Sequence, residues 1–556
     1  MAVTSGFLGC PDGIGAARDE RRAEGEEREM TQTPERFSGR DQPLTLGIVG
    51  AGVMGRGIAQ VAAEAGVTVL LADVEPRAAE EARGFVAAML ERRRAKGRIN
   101  AAEAAAALDL IGVVAVGDDA GWAALRACDA VVEAVVERLD VKHAVIAGLE
   151  AVVRPDCILA SNTSSLSVTE LGAGARRPER VAGFHFFNPV PLMRVVEVVA
   201  GLRTAPWVVE ALEALARRMG HRPLRAADTP GFLVNHAGRA YTSEAMRIVA
   251  ENIASHQEVD RVMVEAAGFG MGPFQLIDLV GMDVVQTVSE SVYHQYFEEP
   301  RYRPVHLGAL RRAGGLLGRK SGAGFYRYED GRQVAQAQPA VPEVSLAARP
   351  VWISDRHPSE AAALRNALAS AGAAIETGAR PSADALCMVT PFGEDASTAA
   401  LAEGLDPRRT VAVDMLLGID RIRTLMTGVA TRPDCRDLAH ALLAAGGHGV
   451  CVINDSPGFL AQRIVAGIVN LGCDIAQQRI AAPADIDTGA KLALGYPMGP
   501  LEWGDALGPQ KVLAILAAMH DFYGDPRYRP SPWLKRRALL GLSLGTPEGR
   551  GGSQLV

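Results

Sequence analysis

Residues 44–60, LTLGIVGAGVMGRGIAQ, decide the fold of the first part of this chain. The apolar run Leu46-Gly47-Ile48-Val49 reads as a buried parallel strand, and Ile58 to Ala65 as the helix after a turn. Between them Gly50 permits a tight turn, Gly52 lets the backbone approach a diphosphate, and Gly55 lets helix and strand pack closely. The helix start, at Val53 and Met54, offers unpaired N–H groups and the positive end of a dipole to an anion. A second strand is expected over Val67 to Ala72, ending at Asp73, eighteen residues after Gly55. A carboxylate there accepts hydrogen bonds from a ribose 2′-hydroxyl and repels a 2′-phosphate. The stretch predicts a dinucleotide domain that holds NAD rather than NADP.

Outward from the turn, strands and helical patterns alternate from Leu44 to about Ala227. Further strands are expected at Ala130 to Val132, Cys157 to Ala160, Val181 to Phe184 and Val195 to Val199. Alternation of this kind gives an α/β fold, a Rossmann-type doubly wound sheet with helices on both faces, over residues 44–228. Arg77 to Lys96 is helix-forming and charged, and reads as a long solvated arm with Lys96 near its tip. Upstream, DERRAEGEERE (Asp19 to Glu29) is almost all charge, so residues 1–43 read as a disordered tail. No apolar core precedes a cleavage site there, and Met30 is a candidate start because every interpretable pattern follows it.

At Asp228-Thr229-Pro230-Gly231-Phe232 the character changes, punctuated by Pro and Gly. Residues 229–331 read as a helical substrate and dimerisation domain, and 332–350, with AQAQPAVPEV, as a linker. An internal repeat then appears. DTPGFLVN at 228–235 returns as DSPGFLAQ at 455–462, GMGPFQLIDLVG at 270–281 as PMGPLEWGDALG at 497–508, and RYRP at 301–304 as RYRP at 527–530. Three matches at offsets of 227, 227 and 226 make 454–556 a second copy of the helical domain. Residues 351–453 alternate like a second sheet domain, but VWIS is followed by Asp355-Arg356-His357-Pro358 where the first copy has glycines. Without them a backbone cannot approach a diphosphate, so this copy is expected to be degenerate.

With 556 residues, 48% hydrophobic and 22% charged, the chain is ordinary for a soluble multidomain protein. A formal charge of −7 argues against a nucleic-acid or anionic-membrane surface, and no apolar run approaches the length of a membrane span. Seven scattered cysteines without a CxxC pair suit a reducing, cytoplasmic compartment with neither a disulfide framework nor a metal site.

Two polar segments lie at expected strand ends. Ala160-Ser161-Asn162-Thr163-Ser164-Ser165-Leu166 follows the apolar CILA, at the carboxyl edge of the sheet where open α/β sheets bind ligands. The same cluster suits a helix N-cap, and the two roles are compatible. The second segment is Gly183-Phe184-His185-Phe186-Phe187-Asn188-Pro189-Val190-Pro191. His185 ends a strand, the prolines force a compact turn, and the returning strand can place Glu197 against the imidazole. A carboxylate there fixes the tautomer and stabilises the protonated ring, as a general base requires.

Together GAGVMGRGIAQ, VVEAVVE, SNTSSL, GFHFFNPVPLMRVVEVV, DTPGFLVN and GMGPFQLIDLVG resemble the L-3-hydroxyacyl-CoA dehydrogenases over residues 44 to 328. The degenerate second half resembles the long, duplicated members, which include 3-hydroxybutyryl-CoA and 3-hydroxyadipyl-CoA dehydrogenases. The resemblance implies an NAD-dependent oxidation of an acyl-CoA substrate, with His185 as general acid/base and Glu197 as its partner. It implies that Ser164 and Asn235 bond the reacting oxygen, that Glu137, Lys142 and Asn188 line the cofactor site with Asp73, and that Lys96 contacts a coenzyme A phosphate. It also implies that the second helical copy, where Gln462 replaces Asn235, is a built-in partner. That makes an internal pseudo-dimer, alongside any homodimer of whole chains.

Two other functions fit parts of the pattern: a non-catalytic NAD-binding redox sensor, and a dehydrogenase for a small free hydroxy acid. A sensor would need the glycine turn but could discard His185, Glu197, Ser164 and Asn235. For a substrate with a terminal carboxylate, Arg194 and Arg239 are the candidate cations.

Overall fold

The structure, a computed structural model, describes residues 33–39, 41–116, 119–335 and 337–548, and divides between Asp228 and Thr229 into two compact units. The charged run Asp19 to Glu29 and the candidate start at Met30 lie outside the described residues. No helix among the described residues is long and apolar enough to cross a membrane.

The first unit is built on one sheet of order β3-β2-β1-β4-β5-β6-β7-β8. Its strands are β1 (Thr45–Val49), β2 (Thr68–Asp73), β3 (Ile111–Ala115), β4 (Ala130–Glu133), β5 (Ile158–Ser161), β6 (Val181–Phe186), β7 (Val195–Ala200) and β8 (Arg222–Ala227). Pairing is parallel from β3 to β6, antiparallel between β6 and β7, and parallel again between β7 and β8. The order reverses beside β1, which opens a crevice at the carboxyl ends of β1 and β4, the ligand position of doubly wound sheets. Strands β4, β5 and β6 are buried at every residue, which is why they read as unbroken apolar runs and not as alternating ones. One face of the sheet packs Ile48, Ile58, Val132, Phe184 and Leu212; the other packs Val49, Val131, Ile146 and Leu159.

Two expectations for this unit are corrected. Thr33–Ser38 is a helix outside any tail, and Phe37, 1% exposed, is buried in the first of those cores. Burying such a ring stabilises by about 2 kcal/mol, enough to hold a short segment down. Helix Pro76–Ala95 is not solvated all round: Ala79, Ala82, Val86 and Leu90 form a buried stripe at helical spacing, and Lys96 is its exposed C-cap.

The second unit holds two helical sets and a smaller sheet. The first set includes Arg239–Ala250, Pro273–Val280 and Met282–Gln295. A hairpin of β9 (Tyr328–Glu329) and β10 (Arg332–Gln333) follows, so Arg332 and Gln333 belong to it and not to a linker. The second sheet comprises β11 (Val351–Ile353), β12 (Ile375–Glu376), β13 (Leu386–Val389), β14 (Thr410–Val413), β15 (Arg423–Thr427) and β16 (Val450–Ile453). Its order is β12-β11-β13-β14-β15-β16. Read from the β16 edge, it repeats the parallel, antiparallel, parallel pattern of β8 back to β5. Helices Ala461–Gln477, Pro483–Ala493, Pro500–Leu507 and Pro509–Tyr523 make the second set.

The repeat extends to single hydrogen bonds. Asp260 accepts the N–H groups of Phe274 and Gln275 at 2.8 and 3.0 Å, and Asp487 those of Leu501 and Glu502 at 2.8 and 3.3 Å. The two sets pack on each other through Arg239–Ala250 and Ala461–Gln477. Across that contact the buried Arg463 donates to Glu244 and Glu251, each at 2.8 Å, and within its own set to the Tyr528 hydroxyl at 2.9 Å. The RYRP segments meet: Arg301 donates to the carbonyls of Arg527 and Arg529 at 3.2 and 3.0 Å and pairs with Asp474 at 2.8 Å. In the other direction Arg529 pairs with Glu299 at 3.5 Å. Contacts running both ways between copies of one segment are the mark of a self-complementary two-fold interface.

Candidate active site

Each glycine of the turn has its own reason. Gly50 has φ +104°, and a Cβ there would lie 2.6 Å from the carbonyl oxygen of Ala134. A Cβ on Gly55 would lie 1.8 Å from the carbonyl oxygen of Gly50, so only hydrogen fits between helix and turn. Gly52 differs, because a Cβ there would meet none of the described residues within 4 Å. Its bareness leaves the backbone open to a ligand. Gly52 is also the N-cap of helix Val53–Glu64, with no side chain capping it and no acid in the first turn. Unpaired N–H groups and a positive dipole end are what the diphosphate of a dinucleotide requires. Val53 is exposed and Met54 half-buried in that first turn.

Asp73, at the end of β2, accepts the Ala51 N–H at 2.7 Å and the Glu75 N–H at 3.1 Å. A carboxylate has about four acceptor positions, so Asp73 clamps the turn and keeps capacity for a ribose hydroxyl. The residues present therefore fit NAD.

The antiparallel register of β6 and β7 sets His185 directly opposite Glu197. Glu197 Oε2 lies 2.6 Å from His185 Nδ1, with the histidine 5% and the glutamate 0% exposed. A buried carboxylate on Nδ1 fixes the orientation of the imidazole. The Phe187 ring stands 4.5 Å from the imidazole. Asn162 accepts the Phe186 N–H at 2.9 Å, tying the polar segment after β5 to the strand end that carries His185.

The same polar segment is organised by Glu137. One of its oxygens accepts the Thr163 hydroxyl at 2.7 Å, the Ser164 N–H at 2.8 Å, and the Ser165 N–H and hydroxyl, both at 3.0 Å. Its other oxygen lies 3.3 Å from Lys142 Nζ. Burial opposes ionisation of Glu137, but the Lys142 ammonium and the loop's hydrogen bonds outweigh it and hold the carboxyl below its ordinary range. Lys142 itself is fully buried, donating to both oxygens of Glu133 at 2.9 Å. Lys142 thus holds Glu137 in place from beneath. Glu133 also accepts the Ser161 hydroxyl, and burial raises its carboxyl above the ordinary range despite the lysine. Glu133 carries no role in the sequence reading, and the signal for it is an acid inside an apolar strand. Asp228, in the sequence only a boundary residue, accepts the Val168 and Thr169 N–H groups and the Ser167 hydroxyl, and so caps the helix Val168–Ala173.

Ser164 is half-buried in this loop, while Asn188 and Lys96 are exposed at the first unit's surface. Arg194 lines a groove of about 480 Å³ with Glu64, Arg93, Arg218 and His221, at the C-terminal end of helix Val53–Glu64 and so away from the glycine turn. Asn235 belongs to the second unit, on the short helix Val234–Ala237.

The second sheet keeps the frame and changes the contents. Asp455, the repeat of Asp228, accepts the Ala396 N–H and the Ser397 hydroxyl at the equivalent helix start. With that residue as anchor, the β14–β15 register puts Asp414 where His185 stands and Thr424 where Glu197 stands. Gln462, the repeat of Asn235, donates to Asp414 at 2.9 Å and to the Pro391 carbonyl at 3.1 Å, and accepts the Gly393 N–H at 2.8 Å. Asp414 and Gln462 are buried, and burial pushes the Asp414 carboxyl up to about 6.

An open helix N-terminus at a glycine turn, an acid closing β2 and a carboxylate-backed histidine at a neighbouring strand end define an NAD-binding dehydrogenase. Comparison with known proteins makes the class specific. Residues 45–229 match the family model "3-hydroxyacyl-CoA dehydrogenase, NAD binding domain", and 231–328 and 458–554 match "3-hydroxyacyl-CoA dehydrogenase, C-terminal domain". The chain is 38% identical over 497 residues to 3-hydroxyadipyl-CoA dehydrogenase of Escherichia coli K12, covering 89% of this chain and 98% of the relative. It is 38% identical over 283 residues to a probable 3-hydroxybutyryl-CoA dehydrogenase of Bacillus subtilis, covering 51% of this chain and 96% of the relative. A crystal structure of 3-hydroxybutyryl-CoA dehydrogenase from Escherichia coli K12 superposes with a TM-score of 0.77 at 36% identity, covering 90% of this chain and 98% of that one. The chain belongs to the 3-hydroxyacyl-CoA dehydrogenase family, NAD-dependent oxidoreductases acting on a CH–OH group.

Proposed function

We propose that the chain oxidises (3S)-3-hydroxyacyl-CoA to 3-oxoacyl-CoA, with His185 as general base and Glu197 as its positioning partner. The observation that carries this is the buried 2.6 Å contact of Glu197 with His185 Nδ1, at the end of a strand in the sheet that bears the glycine turn. His185 takes the proton of the 3-hydroxyl at Nε2 as the C3–H bond breaks, and the Glu197 carboxylate stabilises the imidazolium that results. Bound NAD supplies the hydride acceptor. Ser164, held by the Glu137 loop, hydrogen-bonds the reacting oxygen and orients it; Asn235 is assigned to the same oxygen. Gly50, Gly52, Gly55 and Asp73 hold the dinucleotide, and Asn188 and Lys96 are proposed contacts of cofactor and coenzyme A.

A small free hydroxy acid or a non-catalytic sensor is disfavoured by the relatives, whose names specify acyl-CoA substrates. The six buried free cysteines among the described residues suit a reducing, cytoplasmic setting. The second helical set is proposed to serve as the built-in partner of the first. The test of the catalytic assignment is His185→Gln, assayed with NAD and (3S)-3-hydroxybutyryl-CoA. A fall in kcat/KM of about 10²- to 10⁴-fold is expected, and wild-type turnover in this variant refutes the assignment.

A further inference from the structure

One ionic cluster of the first unit lies beneath the Ser164 loop. Lys142 and Glu133 are 1% and 2% exposed, and Lys142 Nζ stands 2.9 Å from both oxygens of Glu133 and 3.3 Å from Glu137. Two carboxylates thus share one ammonium. A second line of contacts reaches the same loop. Ser161 donates to Glu133, its Oγ accepts the Thr163 N–H at 3.1 Å, and the Thr163 hydroxyl goes to Glu137. The two lines end at the N–H groups of Thr163 and Ser164. Because the register pairs Glu133 with Ser161, the cluster is built into the ends of two neighbouring strands, β4 and β5.

A buried ion pair adds little stability, because desolvation offsets the attraction and neutral groups of equal volume do as well. The second sheet shows that alternative. Leu386 precedes Ala396 by ten residues, as Ile158 precedes Val168, so Val389 stands at the place of Ser161. The parallel register of β11 and β13 then puts Ser354 at the place of Glu133. The helix that follows, Pro358–Ser370, has no lysine and buries Ala361, Leu364 and Leu368. A sheet of this pattern therefore forms and packs without the ionic cluster. The cluster occurs in the half that has His185 and the Ser164 loop.

We propose that Glu133 and Lys142 are positioning residues of the reaction: through Glu137 and Ser161 they hold the Ser164 hydroxyl where it meets the reacting oxygen. The inference rests on the function proposed above, in which Ser164 bonds that oxygen. Burial makes the support stiff. Glu133 accepts from Ser161, Val135 and Lys142, and the ammonium has no water to turn to. A displacement of about 1 Å at a reacting group costs about 10²-fold in rate, so a small shift of the loop is enough.

The experiment uses Glu133→Gln combined with Lys142→Met in the full chain, which removes both charges and keeps the volume. Three quantities are read: Tm, kcat at saturating NAD and (3S)-3-hydroxybutyryl-CoA, and the Kd of ADP-ribose, the part of the dinucleotide assigned to the glycine turn and Asp73. Tm is expected within about 3 °C of wild type and the Kd within about threefold, while kcat falls about 100-fold. If the double variant does not fold, Ser161→Ala cuts the second line and leaves the ion pair, and is expected to lower kcat about 10-fold with the Kd unmoved. Wild-type kcat in the variant that folds overturns the inference. So does a loss of kcat matched by an equal rise in the Kd, which marks a general collapse of the sheet end. Ser164→Ala in the same assay separates the two levels. If it loses kcat and the folded test variant does not, the positioning inference alone falls; if it keeps wild-type kcat, the reading of Ser164 falls and the inference with it.

Discussion

The two sheets of this chain share a strand pattern and differ in what the pattern carries. Where β6 meets β7 a histidine faces a glutamate; where β14 meets β15 an aspartate faces a threonine. Where the first half has Asn235, the second has Gln462, whose amide is taken up by Asp414, Pro391 and Gly393. The first sheet has an open glycine turn after its leading strand, and the second has Asp355-Arg356-His357-Pro358. A sheet can thus keep its packing with other residues at these positions, provided that their polar groups are satisfied internally.

The largest expected difference between the two sheets lies at His185 and Asp414. Asp414→Asn is expected to leave kcat/KM within about threefold of wild type, against the 10²- to 10⁴-fold loss for His185→Gln. A large loss in the Asp414 variant would mean that the second sheet takes part in turnover. Next in size is the contact between helical sets: Arg463→Leu strips the buried Glu244 of its shortest ion pair and leaves it the Tyr528 hydroxyl and the longer contacts of Arg247 and Arg527, and a loss of about 3 kcal/mol is expected in urea unfolding. No change there would mean that the two sets do not depend on each other.

Smaller effects sharpen the glycine comparison. Gly55→Ala forces a Cβ against a carbonyl and should destabilise by about 1–3 kcal/mol. Gly52→Ala meets no atom of the described residues, so its Tm should stay near that of wild type while its Kd for NAD rises about tenfold in calorimetry. Equal behaviour of the two variants would contradict the separate roles assigned to them. The smallest effect is pH-dependent. The Asp414 carboxyl is pushed up to about 6 by burial, above the 3.8 of an ordinary aspartate. Its contribution to stability is fully present below pH 3.8 and is lost as pH rises through about 6, because the unfolded chain ionises first. Between about pH 4 and 8, thermal melts of Asp414→Asn should therefore change less than those of wild type.

The first sheet is more legible in the sequence than the second, for physical reasons. The glycine turn and the His185–Glu197 pairing are local: strand–turn–helix in one case, strand–turn–strand in the other. Strand β8, Arg222–Ala227, escapes notice because it lies on an edge, where Pro223 and two exposed arginines are tolerated. Strand β15 escapes because it opens with Arg423, which is buried only by donating to the carbonyls of Ile419 and Leu443. The inner support of the Ser164 loop is hidden for the same reason. Glu133 and Lys142 are charged residues whose partners become neighbours only when β4 and the helix Leu139–Glu150 pack together. Likewise the buried Phe37 follows a stretch of charge, and nothing in the short TPERFS foretells its docking.

The meeting of the two RYRP segments has a consequence for behaviour in dilute solution. When identical subunits join by such a face, mass action governs how many are joined, and dilution separates them. Here one polypeptide owns both faces, so the local concentration of one for the other is set by the backbone between them. The association cannot be titrated away. The chain reaches that independence by giving residues 351–556 to a second copy, in which Asp414 and Thr424 stand at the places of His185 and Glu197.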